Sequence, residues 1–216
     1  MSKSTLLLLV LCGMAIPSAA QKFNRFNFNV GGGFGGALGD VSKFTGSSYH
    51  GAVGGGLNLS RNIGVRAEYM YFNLAFKDSI KNQQSLPDAT GRLQSATLNL
   101  FWRFPLDNKL DVYAIGGGGW YQRQVEARSQ FLPAGTVCQP AWQLWAIECT
   151  NGSSGLVDPA QTLSSHTVSA GGYNFGGGFS YRIQKKMRVY VEGRYHRAKT
   201  SDLTTTVFPV TVGLRW

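Results

Sequence analysis

Charge is scarce in this chain. Asp, Glu, Lys and Arg make up 15% of its residues, against about a quarter in soluble globular proteins, which is too little to clothe a soluble monomer of this size. Long apolar runs are absent past the first twenty positions, so no helix of the roughly 20 residues needed to cross a bilayer can form. Proline is low, at 7 residues, and glycine follows no three-residue period, which excludes collagen and Pro-rich disorder. With 3 Cys and 3 His, scattered, a four-ligand zinc site is excluded as well. What is abundant is glycine, 28 of 216 residues, and aromatic side chains, 12%.

The first twenty residues read as an address. Lys3 supplies a positive start, Leu6 to Ile16 an apolar stretch, and Pro17-Ser18-Ala19-Ala20 a small-residue cleavage site before Gln21. This is the pattern of a secretory signal peptide, and Leu11 is too bulky for the residue that precedes a lipidated Cys12. The expected organisation is residues 1–20 as signal and 21–216 as one domain. Without Lys3 the exported part carries 20 basic against 11 acidic groups, and export puts nucleic acid out of reach. Cys138 and Cys149 both lie in the exported part, within a polar stretch. An oxidising compartment favours a disulfide between them, which would stabilise its loop by about 3 kcal/mol.

Along the exported part the recurring period is two, the period of strands with unlike faces. Eight stretches show it: 23–36, 49–59, 63–71, 94–104, 110–122, 167–183, 187–196 and 205–216. In 63–71, Ile63, Val65, Ala67, Tyr69 and Tyr71 oppose Arg66 and Glu68. In 187–196, Val189, Val191 and Tyr195 oppose Arg188, Glu192, Arg194 and His196. In 110–122 the phase is open, because Tyr113 and Ile115 compete with Val112 and Ala114. Connections at 60–62, 105–109 and 184–186 are tight, whereas 39–48, 73–93, 123–166 and 197–204 are long. Short turns at one end and long loops at the other is the arrangement of membrane-spanning barrels, of which eight strands is the smallest. In-strand glycines beside aromatics let rings lie flat and let a tightly curved sheet bend. Gly31 to Gly36 matches G-x-G-x-x-G, yet no helical pattern or acidic residue follows at the required spacing, so dinucleotide binding is excluded.

Three observations place the apolar faces against lipid. Rings gather near strand ends, among them Tyr69, Trp102, Phe104, Trp120, Tyr181 and Trp216, as at membrane interfaces. The polar face offers paired Arg and carboxylate rather than Lys, suiting a confined interior. The last strand is apolar at every second position to its end. Arg66, Glu68, Arg103, Arg188, Glu192, Arg194 and His196 are therefore expected to fill the lumen, which in eight strands is just wide enough for side chains.

Phe208, Val210, Val212, Leu214 and Trp216 resemble the C-terminal signal by which outer-membrane barrels are recognised by their assembly machinery. With the signal peptide and the eight stretches, the chain resembles the small OmpA-like and OmpX-like outer membrane protein β-barrel domains. The resemblance implies an all-β, eight-stranded antiparallel up-and-down transmembrane barrel in the bacterial outer membrane, in contact with its lipid and lipopolysaccharide. No peptidoglycan-binding domain is expected after Trp216.

Three function classes compete. Lipid A deacylation needs a Ser two residues after a His, and Ala52, Val168 and Ala198 stand two beyond His50, His166 and His196. A narrow anion-preferring pore is a second reading. The third is a non-enzymatic structural or surface-interaction role, without cofactor, and it leads. The 123–166 connection carries Trp142 and Trp145, apolar for an external segment and a candidate contact for a protein partner. Lys77, Lys81, Arg92, Arg123, Arg128, Arg197 and Lys199 on the loops offer charge to lipopolysaccharide phosphates.

Overall fold

In the computed structural model, residues 24–43, 45–75, 77, 88–128, 137–141, 146–150, 162–199 and 204–216 are described. Ten strands occur among them: β1 (Phe26–Leu38), β2 (Ser48–Asn58), β3 (Ile63–Ala75), β4 (Asp88–Pro105), β5 (Leu110–Arg128), β6 (Val137–Ala141), β7 (Ala146–Thr150), β8 (Thr162–Gln184), β9 (Met187–Lys199) and β10 (Thr204–Arg215). A 3-10 helix, Gly39–Lys43, follows β1. It is entered through Gly39 at a φ of 68°, a left-handed conformation that costs glycine nothing.

Eight strands close a barrel in the order β1-β2-β3-β4-β5-β8-β9-β10, with β10 returning to β1. Every pairing is antiparallel between neighbours around the wall. β6 and β7 form a separate hairpin inside the β5–β8 connection. Closure leaves no unpaired edge, the condition for a sheet to stand in lipid. Backbone hydrogen bonds of 3.0 Å in both directions join Phe28 to Trp216, so both ends of the barrel wall lie on the side of the short turns.

The faces separate by phase. Phe26, Phe28, Val30 and Phe34 of β1, Val53 and Leu57 of β2, Leu98, Leu100 and Trp102 of β4 and Phe175, Phe179 and Tyr181 of β8 all point outward and are exposed. Arg66, Glu68, Asn99, Glu192, Arg194 and His196 point inward and are buried. This is the reverse of a water-soluble protein. The open phase of β5 is decided too: Asp111, Tyr113, Ile115 and Tyr121 face in, while Val112, Ala114 and Trp120 face out. Its inner face is partly apolar, so polarity alternates weakly along it.

Four strands outrun their sequence-read bounds by four or more residues at the long-loop end: β3 continues to Ala75, β4 begins at Asp88, β5 continues to Arg128 and β8 begins at Thr162. There the two faces cease to differ cleanly: Gln122, Arg123 and Gln124 put polar residues on both faces of β5, and Phe72, Leu74 and Leu93 turn the inner face of β3 and β4 apolar, so the alternation fades while the hydrogen-bonded ladder goes on. Inside, glycine makes room for rings. A Cβ on Gly31 would lie 2.5 Å from the Tyr190 hydroxyl, and one on Gly213 2.7 Å from the Tyr190 ring, so Tyr190 occupies space that any larger residue at either position would take.

Candidate functional site

The lumen is layered along the barrel axis. At the short-turn end, β5 and β9 bring Asp111 and Arg188 into an ion pair, and Arg103 on β4 stands 3.6 Å from the same carboxylate. Above them the Arg215 guanidinium lies over the rings of Tyr113 and Tyr190, at 4.5 and 4.6 Å, and 3.6 Å from Glu192. Tyr113 donates its hydroxyl to Glu192 at 2.8 Å.

The middle layer is a continuous ion network. Arg194 pairs with Glu192 on its own strand and, at 2.6 Å, with Glu68 across the lumen. Glu68 also accepts a hydrogen bond from Asn29 at 3.0 Å and lies 3.9 Å from Arg66. Arg66 donates to Asn27 and rests over the Phe101 ring at 4.9 Å. Strands β1, β3, β9 and β10 thus all tie into one cluster, because alternate residues on each aim at the same axis. Two carboxylates are buried among three guanidiniums, and each carboxylate meets two of them, the pairing that makes burial of such a cluster tolerable.

Towards the long loops the lumen turns apolar. The Tyr121 hydroxyl and His196 Nδ1 are 3.0 Å apart, and His50 Nε2 and Thr211 Oγ1 are 2.8 Å apart. The Phe72 ring sits between the two imidazoles, with centroids at 5.0 Å from His50 and 6.3 Å from His196. Beyond lies a plug of Val41, Met70, Phe72, Leu74, Leu93 and Val207, each at most 2% exposed. Val41 comes from the 3-10 helix, which caps the barrel from inside. At two successive levels, ions and then hydrocarbon, the cross-section is filled.

The model of the outer membrane protein beta-barrel domain matches residues 4–215. The chain belongs to that family. Its placement is the bacterial outer membrane, and the apolar outer face is the side that meets acyl chains. Among solved structures, Neisserial surface protein A is 12% identical, with a TM-score of 0.54, over 88% of this chain and 95% of that one. The attachment invasion locus protein of Yersinia pestis is 13% identical, with a TM-score of 0.50, over 90% and 100%. A major outer membrane protein of Thermus thermophilus is 11% identical, with a TM-score of 0.52, over 89% and 99%. These likenesses are of fold. No curated protein matches the chain in sequence.

Of the lumen residues read from sequence, Arg66, Glu68, Glu192 and Arg194 share the central network, Arg103 and Arg188 meet at Asp111 in the mouth, and His196 stands apart under the plug. Phe208, Val210, Val212 and Trp216 are exposed on the outer face of the barrel, with Leu214 half-buried between them. Cys138 and Cys149 are directly opposed in the β6–β7 hairpin. Trp142 and Trp145, like the cleavage site at Ala20, lie outside the described residues.

The plug itself was missed by sequence reasoning. Its signal was present, since Met70, Phe72 and Leu74 continue the phase of Arg66 and Glu68, and Leu93 that of Ser95 and Thr97. Apolar residues on both faces of one strand erase the alternation by which a face is read.

Proposed function

We propose that this outer-membrane barrel is non-enzymatic and non-conducting, and that its role is structural and surface-interactive, carried by the long loops. One observation bears most of the weight: the lumen is closed by the Glu68–Arg194 network and again by the plug around Phe72. A lumen filled by side chains leaves no path for solute. The histidines support the same reading. His50 and His196 are buried on the inner face, where an acyl chain in the membrane cannot reach them, and the Ser that a deacylase places two residues after its His is missing. In planar bilayers the purified barrel is expected to give no discrete conductance steps; steps of uniform size would favour the anion-preferring pore instead.

The finer parts of the reading follow from residue chemistry. The chain is cleaved after Ala20 and delivered to the assembly machinery by the outward row Phe208, Val210, Val212, Leu214 and Trp216. Cys138 and Cys149 form a disulfide that pins the β6–β7 hairpin, a pairing their opposed register supports. Trp142 and Trp145 supply a contact for a protein partner. Lys77, Lys81 and Lys199, on the long-loop side, engage lipopolysaccharide phosphates. Replacing these three lysines with Gln should weaken lipopolysaccharide retention during purification several-fold, and equal retention would remove the charge argument. Trp142→Ser with Trp145→Ser should reduce association with a partner captured by the wild type, leaving heat-modifiable migration unchanged.

A further inference from the structure

The short-turn end of the barrel opens into a cavity of about 610 Å³, separate from the loops just discussed. Six cations line it: Arg103, Arg182, Lys185, Lys186, Arg188 and Arg215. Three of them stand side by side on adjacent strands, Arg182 opposite Arg188 and Arg188 opposite Arg215. Like charges directly opposed across a ladder destabilise a sheet, so this row needs an anion more than it needs itself.

The protein supplies too few. Asp111 answers Arg103 and Arg188, and Glu192 serves Arg215 while already holding Arg194. Among the described residues, Arg182, Lys185 and Lys186 have no carboxylate within ion-pair distance, and a terminal carboxylate on Trp216 would still leave a surplus of positive charge. Arg215, with its side chain 3% exposed, has a buried Nε with no hydrogen-bond partner among the described residues.

We propose that this vestibule binds a phosphate-bearing anion. A phosphate carries up to two charges on a compact set of oxygens, and guanidinium forks hydrogen-bond such oxygens two at a time. Three guanidiniums in a row, with two flexible ammonium groups at the rim, match a phosphate or diphosphate. The floor is closed by Tyr113, Tyr190 and the ion network, so the ligand enters and leaves by the same mouth and the site binds without conducting. Phe26 and Trp216 line the cavity and also face outward, 60% and 46% exposed, which brings the rim to the lipid–water boundary. The phosphate can come from solution or from the headgroup of a phospholipid.

The test uses the full chain as isolated from membranes, reconstituted in phosphatidylcholine nanodiscs and titrated calorimetrically with sodium pyrophosphate at low ionic strength. One equivalent should bind, at least tenfold more weakly in K185Q/K186Q, whose changes lie in an exposed turn, and unchanged in K43Q, in the 3-10 helix at the opposite end. In a second arm, native mass spectrometry of protein from phosphatidylglycerol nanodiscs should show one retained lipid in the wild type and none in K185Q/K186Q. Pyrophosphate binding alone assigns a soluble ligand, and lipid retention alone a headgroup. Neither signal, or an equal loss in K43Q, would overturn the proposal.

Discussion

Glu68 holds the lumen together through what it compensates. Its carboxylate faces Arg194 at 2.6 Å and Arg66 at 3.9 Å, and both guanidiniums are at most 2% exposed. Glu68→Gln keeps the shape and the Asn29 hydrogen bond in reach but leaves three buried cations, Arg66, Arg194 and Arg215, with Glu192 as their remaining anion. Loss of one partner from such a cluster costs about 3–5 kcal/mol. Urea unfolding of the barrel in lipid vesicles, followed by tryptophan fluorescence, should show a destabilisation of that order. Adding Arg66→Met should restore part of it, because the uncompensated charge goes with it; two simply additive losses would mean that the residues are not coupled. Which residues share the lumen face was legible at this scale, since Arg66 and Glu68, like Glu192 and Arg194, are two apart on strands of clear phase. That Arg194 reaches across to Glu68, more than a hundred positions away, was not, because barrel closure and not local spacing brings β3 and β9 to one axis.

Among the elements, the β6–β7 hairpin is the least supported by its neighbours. It pairs with no barrel strand, and its five-residue strands are below the size at which an isolated hairpin is stable in water. A bond between Cys138 and Cys149, opposed in register, would offset this. Protein isolated from the envelope without reductant should resist alkylation at both positions and become reactive at both after reduction. Cys138→Ser should expose Cys149 to alkylation and speed proteolytic nicking of the 129–161 segment, with the barrel itself left intact. Ready alkylation of the native protein would remove the disulfide. Strand existence was readable wherever one face was apolar and the other polar. The outer reaches of β4, β5 and β8 were not, because beyond the bilayer nothing distinguishes the two faces and only backbone pairing extends the wall.

For the whole molecule the decisive property is an outer surface of hydrocarbon around a core of ions. Val53, mid-strand on β2 and 55% exposed, is paired in register with Val30 and Tyr69, so it belongs to the middle of the apolar band. Tyr69 also lies there, because β3 runs on to Ala75 and puts this ring at its centre and not near its end. Val53→Arg should cost about 2–4 kcal/mol, whereas Leu59→Arg, beside the first short turn, should cost about 0–1 kcal/mol, as expected for lipid-facing sites at the midplane and at the interface. Equal urea midpoints for the two variants in vesicles would mean that the outer face does not meet acyl chains. By itself the sequence determined the class of fold, the number of wall strands and, for every wall strand but β5, the side that faces lipid. These are properties of residues one or two apart, repeated under a constraint the bilayer imposes on every strand. Only the tertiary structure decided the inner phase of β5, the apolar plug above the ions, and the row of opposed arginines at the short-turn mouth. Each of these is a relation between side chains on different strands, and it comes into being when the sheet closes with a particular register.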